Sequence, residues 1–151
     1  MEIKEVKSVQ AITDTFKTTL KKMMGFSVDY TEKVAEEAGK HDLLSHQPMQ
    51  FLYHNCTEDM EKEFDLEIAV LVNPDKPYKG DYQVKELGNF KCASFRYKGS
   101  IDKIGVNGYE KFLPQVIASG NIPNSNFREV YHQWESPESE NNIVEIQIGI
   151  N

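Results

Sequence analysis

The residues best placed to do chemistry in this 151-residue chain stand near its end, in Phe127-Arg128-Glu129-Val130-Tyr131-His132-Gln133-Trp134. The segment is rich in β-formers, and strand alternation puts Phe127, Glu129 and Tyr131 on one face. A carboxylate set among aromatic rings suits a flat cation. Each ring face attracts positive charge by ~0.5–2 kcal/mol, and a desolvated carboxylate adds the Coulomb attraction. Taken alone, Glu129 reads as a solvated strand residue, because glutamate is seldom buried without a partner. Trp134 follows on the opposite face, where it packs unless the strand bulges.

The same pattern occurs earlier. Residues 49–72 lie over 127–150 without a gap at a shift of 78. Tyr53-His54 falls on Tyr131-His132, Glu67-Ile68 falls on Glu145-Ile146, and Leu66, Ile68, Val70 and Val72 fall on Val144, Ile146, Ile148 and Ile150. Agreement of hydrophobic phase over this length marks an internal duplication. Met49, Phe51 and Tyr53 take the places equivalent to Phe127, Glu129 and Tyr131, so a pseudo-two-fold brings both sets of aromatics to one surface. Glu67 and Glu145, on the neighbouring strands, are expected to ring it. Tyr109 either closes one side of this groove or simply begins an apolar helix stripe. The repeat partner of Trp134 is the much smaller Cys56, so the two halves enclose different space.

Each copy is expected to supply a strand, a turn, a helix and a hairpin. Ile143-Val144-Glu145-Ile146-Gln147-Ile148-Gly149-Ile150 alternates with period two and is a half-buried strand, joined through the polar stretch Glu135–Asn142 to the Glu129 strand. Residues 51–55 and 64–72 form the matching hairpin. Lys91–Gly99 and Ala11–Thr18 are the leading strands, and Met1–Val6 an edge strand. Tyr109, Phe112, Leu113, Val116 and Ile117 recur at helical spacing, closed by Gly120 and Pro123, with Pro114 awkwardly inside. Asp29 is placed to cap a helix running to about Gly39, with Val34, Ala35 and Ala38 inward. Asn73–Gly88, rich in Pro, Gly, Tyr and Lys, connects half one (about 1–73) to half two (about 89–151) within a single domain.

A duplicated βαββ unit with Arg128-Glu129-Val130-Tyr131 and a closing Val144-Glu145-Ile146-Gln147-Ile148 resembles the GyrI-like family, the AraC-type bacterial effector-binding domains of multidrug regulators. The resemblance covers essentially the whole chain and departs from the usual pattern in carrying Gly149 where a proline commonly stands. It implies an α+β fold, an antiparallel sheet with two helices flanking a central groove, in which a buried glutamate and tyrosines meet bulky aromatic cations. The implied ligand-binding residues are Glu129, Tyr131, Phe51, Tyr53, Tyr109, Glu145 and Glu67. Members often carry a helix-turn-helix on the same chain, whereas all 151 residues here are expected to belong to the ligand-binding part. The implied function is a stand-alone small-molecule-binding protein. Two alternatives stay open: a hydrolase of strained electrophiles using Glu129 and Tyr131, and a protein-interaction module like the gyrase-inhibitory members.

Composition narrows the remaining classes. A net charge of −7, from 24 acidic against 17 basic residues, repels phosphate backbones, so no direct nucleic-acid partner is expected. No apolar run approaches the ~20 residues of a membrane span, no signal sequence opens the chain, and a cytoplasmic place is expected. Cys56 and Cys92 read as buried thiols. The four histidines lack zinc-site spacing, and neither metal nor cofactor is expected.

Overall fold

The computed structural model describes residues 1–45 and 47–151; His46, one of the histidines weighed as a ligand, lies outside the described residues. The strands are β1 (Glu2–Val6), β2 (Val9–Thr18), β3 (Met49–His54), β4 (Phe64–Leu71), β5 (Val84–Leu87), β6 (Phe90–Lys98), β7 (Pro123–Gln133) and β8 (Ile143–Ile150). The helices are α1 (Leu20–Met24), α2 (Glu32–Lys40) and α3 (Glu110–Ala118). All strands join one antiparallel sheet in the order β1-β6-β8-β7-β3-β4-β2-β5.

The register carries the duplication in full. Phe51↔Ile68, Tyr53↔Leu66 and Leu52↔Glu67 in the first hairpin answer to Glu129↔Ile146, Tyr131↔Val144 and Val130↔Glu145 in the second, each 78 residues on. Between the central strands, Gln50↔Val130 and Leu52↔Arg128 exchange with one another about the pair Phe51↔Glu129. The pseudo-two-fold therefore passes between Phe51 and Glu129.

The edge strands cross between the halves. β1 opens the first half yet pairs with β6 of the second, and β5 precedes β6 yet pairs with β2 of the first. The stretch Asn73–Gly88 is thus more than a connection. Its Val84–Leu87 part pairs as a strand, which four residues after a Pro- and Gly-rich run could not announce by pattern.

One face of the sheet bears the helices. Val34 and Ala38 of α2 pack on Ile12, Leu66, Ile68 and Val70, and Phe112 and Val116 of α3 pack on Val144, Ile146 and Ile148. Asp29 accepts from the backbone N–H and the hydroxyl of Thr31, which is itself the α2 N-cap, so the cap lies two residues later than expected. α3 starts only at Glu110, with Pro114 in its fifth position. A 3₁₀ turn (Ile101–Lys103) and a π turn (Gly105–Tyr109) precede it. A regular helix would ask Pro114 for an N–H it lacks, and the irregular lead-in absorbs the misfit. Gly108 lets this turn press on β8, since a Cβ there would stand 3.0 Å from Cδ1 of Ile146. Ile117, at the end of the expected stripe, faces solvent.

Candidate functional site

Glu129 sits on the helix-bearing face at the middle of β7 and is only 3% exposed. Three phenols hold its carboxylate. Tyr131 and Tyr53 donate to Oε2 at 2.5 and 3.1 Å, and Tyr109 donates to Oε1 at 2.7 Å. Tyr53 and Tyr131 are mates under the pseudo-two-fold, so the symmetry itself delivers two hydroxyls to one acid. Tyr109 comes from the π turn ahead of α3, and it both reaches Glu129 with its hydroxyl and packs its ring on Phe127.

The surroundings are aromatic. Tyr53 stacks on Phe127 with centroids 4.4 Å apart, Tyr109 meets Phe127 edge-on at 5.6 Å, and Phe51 leans on Tyr131 at 4.9 Å. Among the described residues no cationic side chain pairs with Glu129. Burial pushes its carboxyl above the usual range, and the three hydroxyls offset part of that rise. Burial first, then the facing carboxylate, drives the Tyr53, Tyr109 and Tyr131 phenols well above theirs. The site thus stores a proton-hungry acid behind neutral donors.

Trp134 joins this wall, a placement that alternation alone does not give. A register shift between Tyr131 and Gln133 turns the strand end, and the indole meets Tyr131 edge-on at 5.8 Å while remaining 47% exposed. On the dyad-related side stands Cys56, buried near Glu129, its thiol pushed up to about 11 by burial and then by that carboxylate.

Glu67 and Glu145 lie elsewhere than the sequence pattern suggests. They do not ring Glu129: they pair with Leu52 and Val130, the residues that point away from it, and so lie on the opposite face. There each is held alike. Glu67 bonds His54 at 2.9 Å and Lys85 at 2.7 Å, and Glu145 bonds His132 at 3.2 Å and Lys4 at 2.9 Å. Burial alone would raise both carboxyls, but these hydrogen bonds, with those of Thr13 to Glu67 and Gln147 to Glu145, bring each down to about 2. The two lysines come from the crossed edge strands β5 and β1, so the clusters pin those edges to the sheet. Among the described residues no group of three or more His, Cys, Asp or Glu is arranged to hold a metal, and no helix is long and apolar enough to cross a membrane.

No protein-family model and no curated protein matches the chain. Solved structures do match its fold. EcmrR in a complex with DNA superposes with a TM-score of 0.73 at 20% identity, over 99% of this chain and 56% of that one, so the chain spans little more than half of EcmrR. SAV2435 bound to tetraphenylphosphonium matches with a TM-score of 0.62 at 20% identity, covering 100% and 94% of the two chains. A hydrolase from Listeria innocua matches with a TM-score of 0.66 at 11% identity, covering 99% and 91%. The protein accordingly has the duplicated α+β fold of the GyrI-like effector-binding domains.

Proposed function

We propose that the protein binds a small lipophilic aromatic cation in the groove over Glu129. One observation carries the reading: a carboxylate buried at the centre of the fold has aromatic walls and phenol donors but, among the described residues, no cation of its own. Desolvating that charge costs several kcal/mol, and a ligand that brings the missing positive charge recovers the loss. Phe51, Tyr53, Tyr109, Phe127 and Tyr131 offer ring faces to its body, and Tyr109, on an irregular turn, is the side of the groove best able to move aside. The fold relative solved with tetraphenylphosphonium supports this ligand class.

Tetraphenylphosphonium and neutral triphenylphosphine oxide, titrated calorimetrically against the parent and Glu129→Gln, test it. The cation should lose affinity in the variant by more than the ~0.5–1.5 kcal/mol of a neutral hydrogen bond, and the neutral compound should not. Equal affinities across parent and variant would reduce Glu129 to a structural residue.

A second reading, hydrolysis of strained electrophiles, draws on the 2.5 Å contact between the Tyr131 hydroxyl and a carboxyl raised by burial. Such a pair can pass a proton and accept one back. Turnover of an epoxide or cyclopropane by the parent, abolished in Tyr131→Phe, would favour it over simple binding.

A further inference from the structure

The face of the sheet opposite Glu129 carries a buried charge with no ion-pair partner among the described residues. Arg128 is 8% exposed, and its guanidinium lies 4.3 Å from the centre of the Phe90 ring. Among the described residues it forms no ion pair and donates to no acceptor. Directly across on β8 is Gln147, 5% exposed, whose Nε2 donates to Glu145 and whose Oε1 is buried with no donor. An amide oxygen desolvated without a donor costs stability, and a guanidinium 8% exposed with no ion-pair partner among the described residues adds to that cost.

The duplication shows that the fold does not demand either residue. The position related to Arg128 by the pseudo-two-fold is Gln50, and that related to Gln147 is Ala69. A neutral amide and a methyl close the same sheet in the first half. What both halves keep is the His–Glu–Lys brace: His54, Glu67 and Lys85 in one, His132, Glu145 and Lys4 in the other. The second half alone adds Arg128 and Gln147. On the same face, across β1, β6 and β8, is an open recess of about 350 Å³ bounded by Glu2, Lys4, Ser94, Arg96 and Glu145. Its Ser94 pairs across the sheet with Gln147. The carboxylate of Glu145 on its wall is already matched by Lys4, His132 and Gln147.

We propose that this face holds a second small-molecule site, separate from Glu129, in which Arg128 takes a small oxyanion, a carboxylate or a phosphate. The contact with Phe90 holds the guanidinium in place, and its N–H groups form a fork of the kind that grips two oxygens at once. A donor on the ligand, such as a neighbouring hydroxyl, answers Oε1 of Gln147.

The experiment copies the first half onto the second. Thermal unfolding of the parent, Arg128→Gln, Gln147→Ala and Glu129→Gln is followed at constant ionic strength with added acetate, lactate or inorganic phosphate, chloride being the control; Arg Nε–H resonances of the parent are titrated in parallel. The parent should be stabilised in a saturable way by at least one oxyanion, with the Arg128 Nε–H signal moving along the same curve. Arg128→Gln should be no less stable than the parent without oxyanion and should bind it about 10–100-fold more weakly, as loss of charge-assisted bonds implies. Gln147→Ala should erase the preference for lactate over acetate, and Glu129→Gln should respond as the parent does. Carboxylate-only or phosphate-only responses assign the ligand class. An identical response in parent and Arg128→Gln, no response to any oxyanion, or a marked loss of stability in Arg128→Gln alone would each overturn the site.

Discussion

Phe51 and Glu129 face each other across the two central strands, and the 78-residue repeat relates each to the other. The pseudo-two-fold thus sets a phenyl ring against a carboxylate at its own axis. A symmetric pair would have placed two glutamates in contact, and like charges at that distance cannot both ionise in a buried site. Replacing one by phenylalanine leaves a single acid to which both dyad-related tyrosines, Tyr53 and Tyr131, donate.

The packing of the second half gives a first prediction. Ile146 is fully buried among Phe112, Val116, Val144 and Ile148. Ile146→Ala should cost about 2–5 kcal/mol through lost transfer energy and the cavity left behind. Chemical denaturation within ~0.5 kcal/mol of the parent would contradict this packing.

Gly149 supplies a second. It lies opposite the irregular start of β7, where the register slips between Pro123 and Phe127, and a Cβ there would run into Asn126 O and Asn124 Oδ1. Gly149→Ala should lower stability by about 1–3 kcal/mol, the usual cost of overpacking. The denaturation midpoint of this variant checks it, and a neutral result would mean that the bulge yields.

How much of this the sequence makes legible differs by residue. Strand alternation has period two, so counting alone puts Glu129 and Tyr131 on one face, and the gapless repeat puts Phe51 and Tyr53 on the same one. Counting also puts Glu67 and Glu145 on the face away from Leu66 and Ile146, which is incompatible with their ringing Glu129. Trp134 needed a bulge, which depends on how the polar loop after it closes. The crossed edges β1 and β5 were hidden because strand pairing between distant segments leaves no mark on either segment alone. Arg128 and Gln147 attract notice only when register shows what stands at the dyad-related positions.

The braces on the opposite face make stability depend on acid. Glu67 and Glu145 titrate near 2 in the folded chain against an ordinary value of 4.5. A depressed carboxyl contributes stability that is present above the ordinary value and lost as pH falls through the folded one. Unfolding free energy should therefore drop between about pH 4.5 and 2, by at most about 3 kcal/mol for each brace. Glu67→Gln should flatten its share of the slope; denaturation curves across that range, superimposable in shape for parent and variant, would refute the role of the brace.

Glu129 bends the dependence the other way. Burial raises its carboxyl, so the folded state holds a proton there more tightly than the unfolded chain does. Its contribution to stability is present at low pH and is lost as pH rises from the ordinary glutamate value through the raised one. A cation in the groove needs the ionised form and so drives that proton off. Affinity for tetraphenylphosphonium should climb with pH up to the free-protein value of Glu129 and level off above it. On the rising part the slope should approach about tenfold per pH unit, the limit for one linked proton. In Glu129→Gln the pH profile should be flat, as it should be for neutral triphenylphosphine oxide with either protein. Calorimetry in buffers of different ionisation enthalpy reads the same event directly, as one proton released per cation bound at low pH and none at high pH. Release that persists in Glu129→Gln would move the titration to another group, and an affinity independent of pH in the parent would mean that the carboxylate is already ionised behind its three phenols.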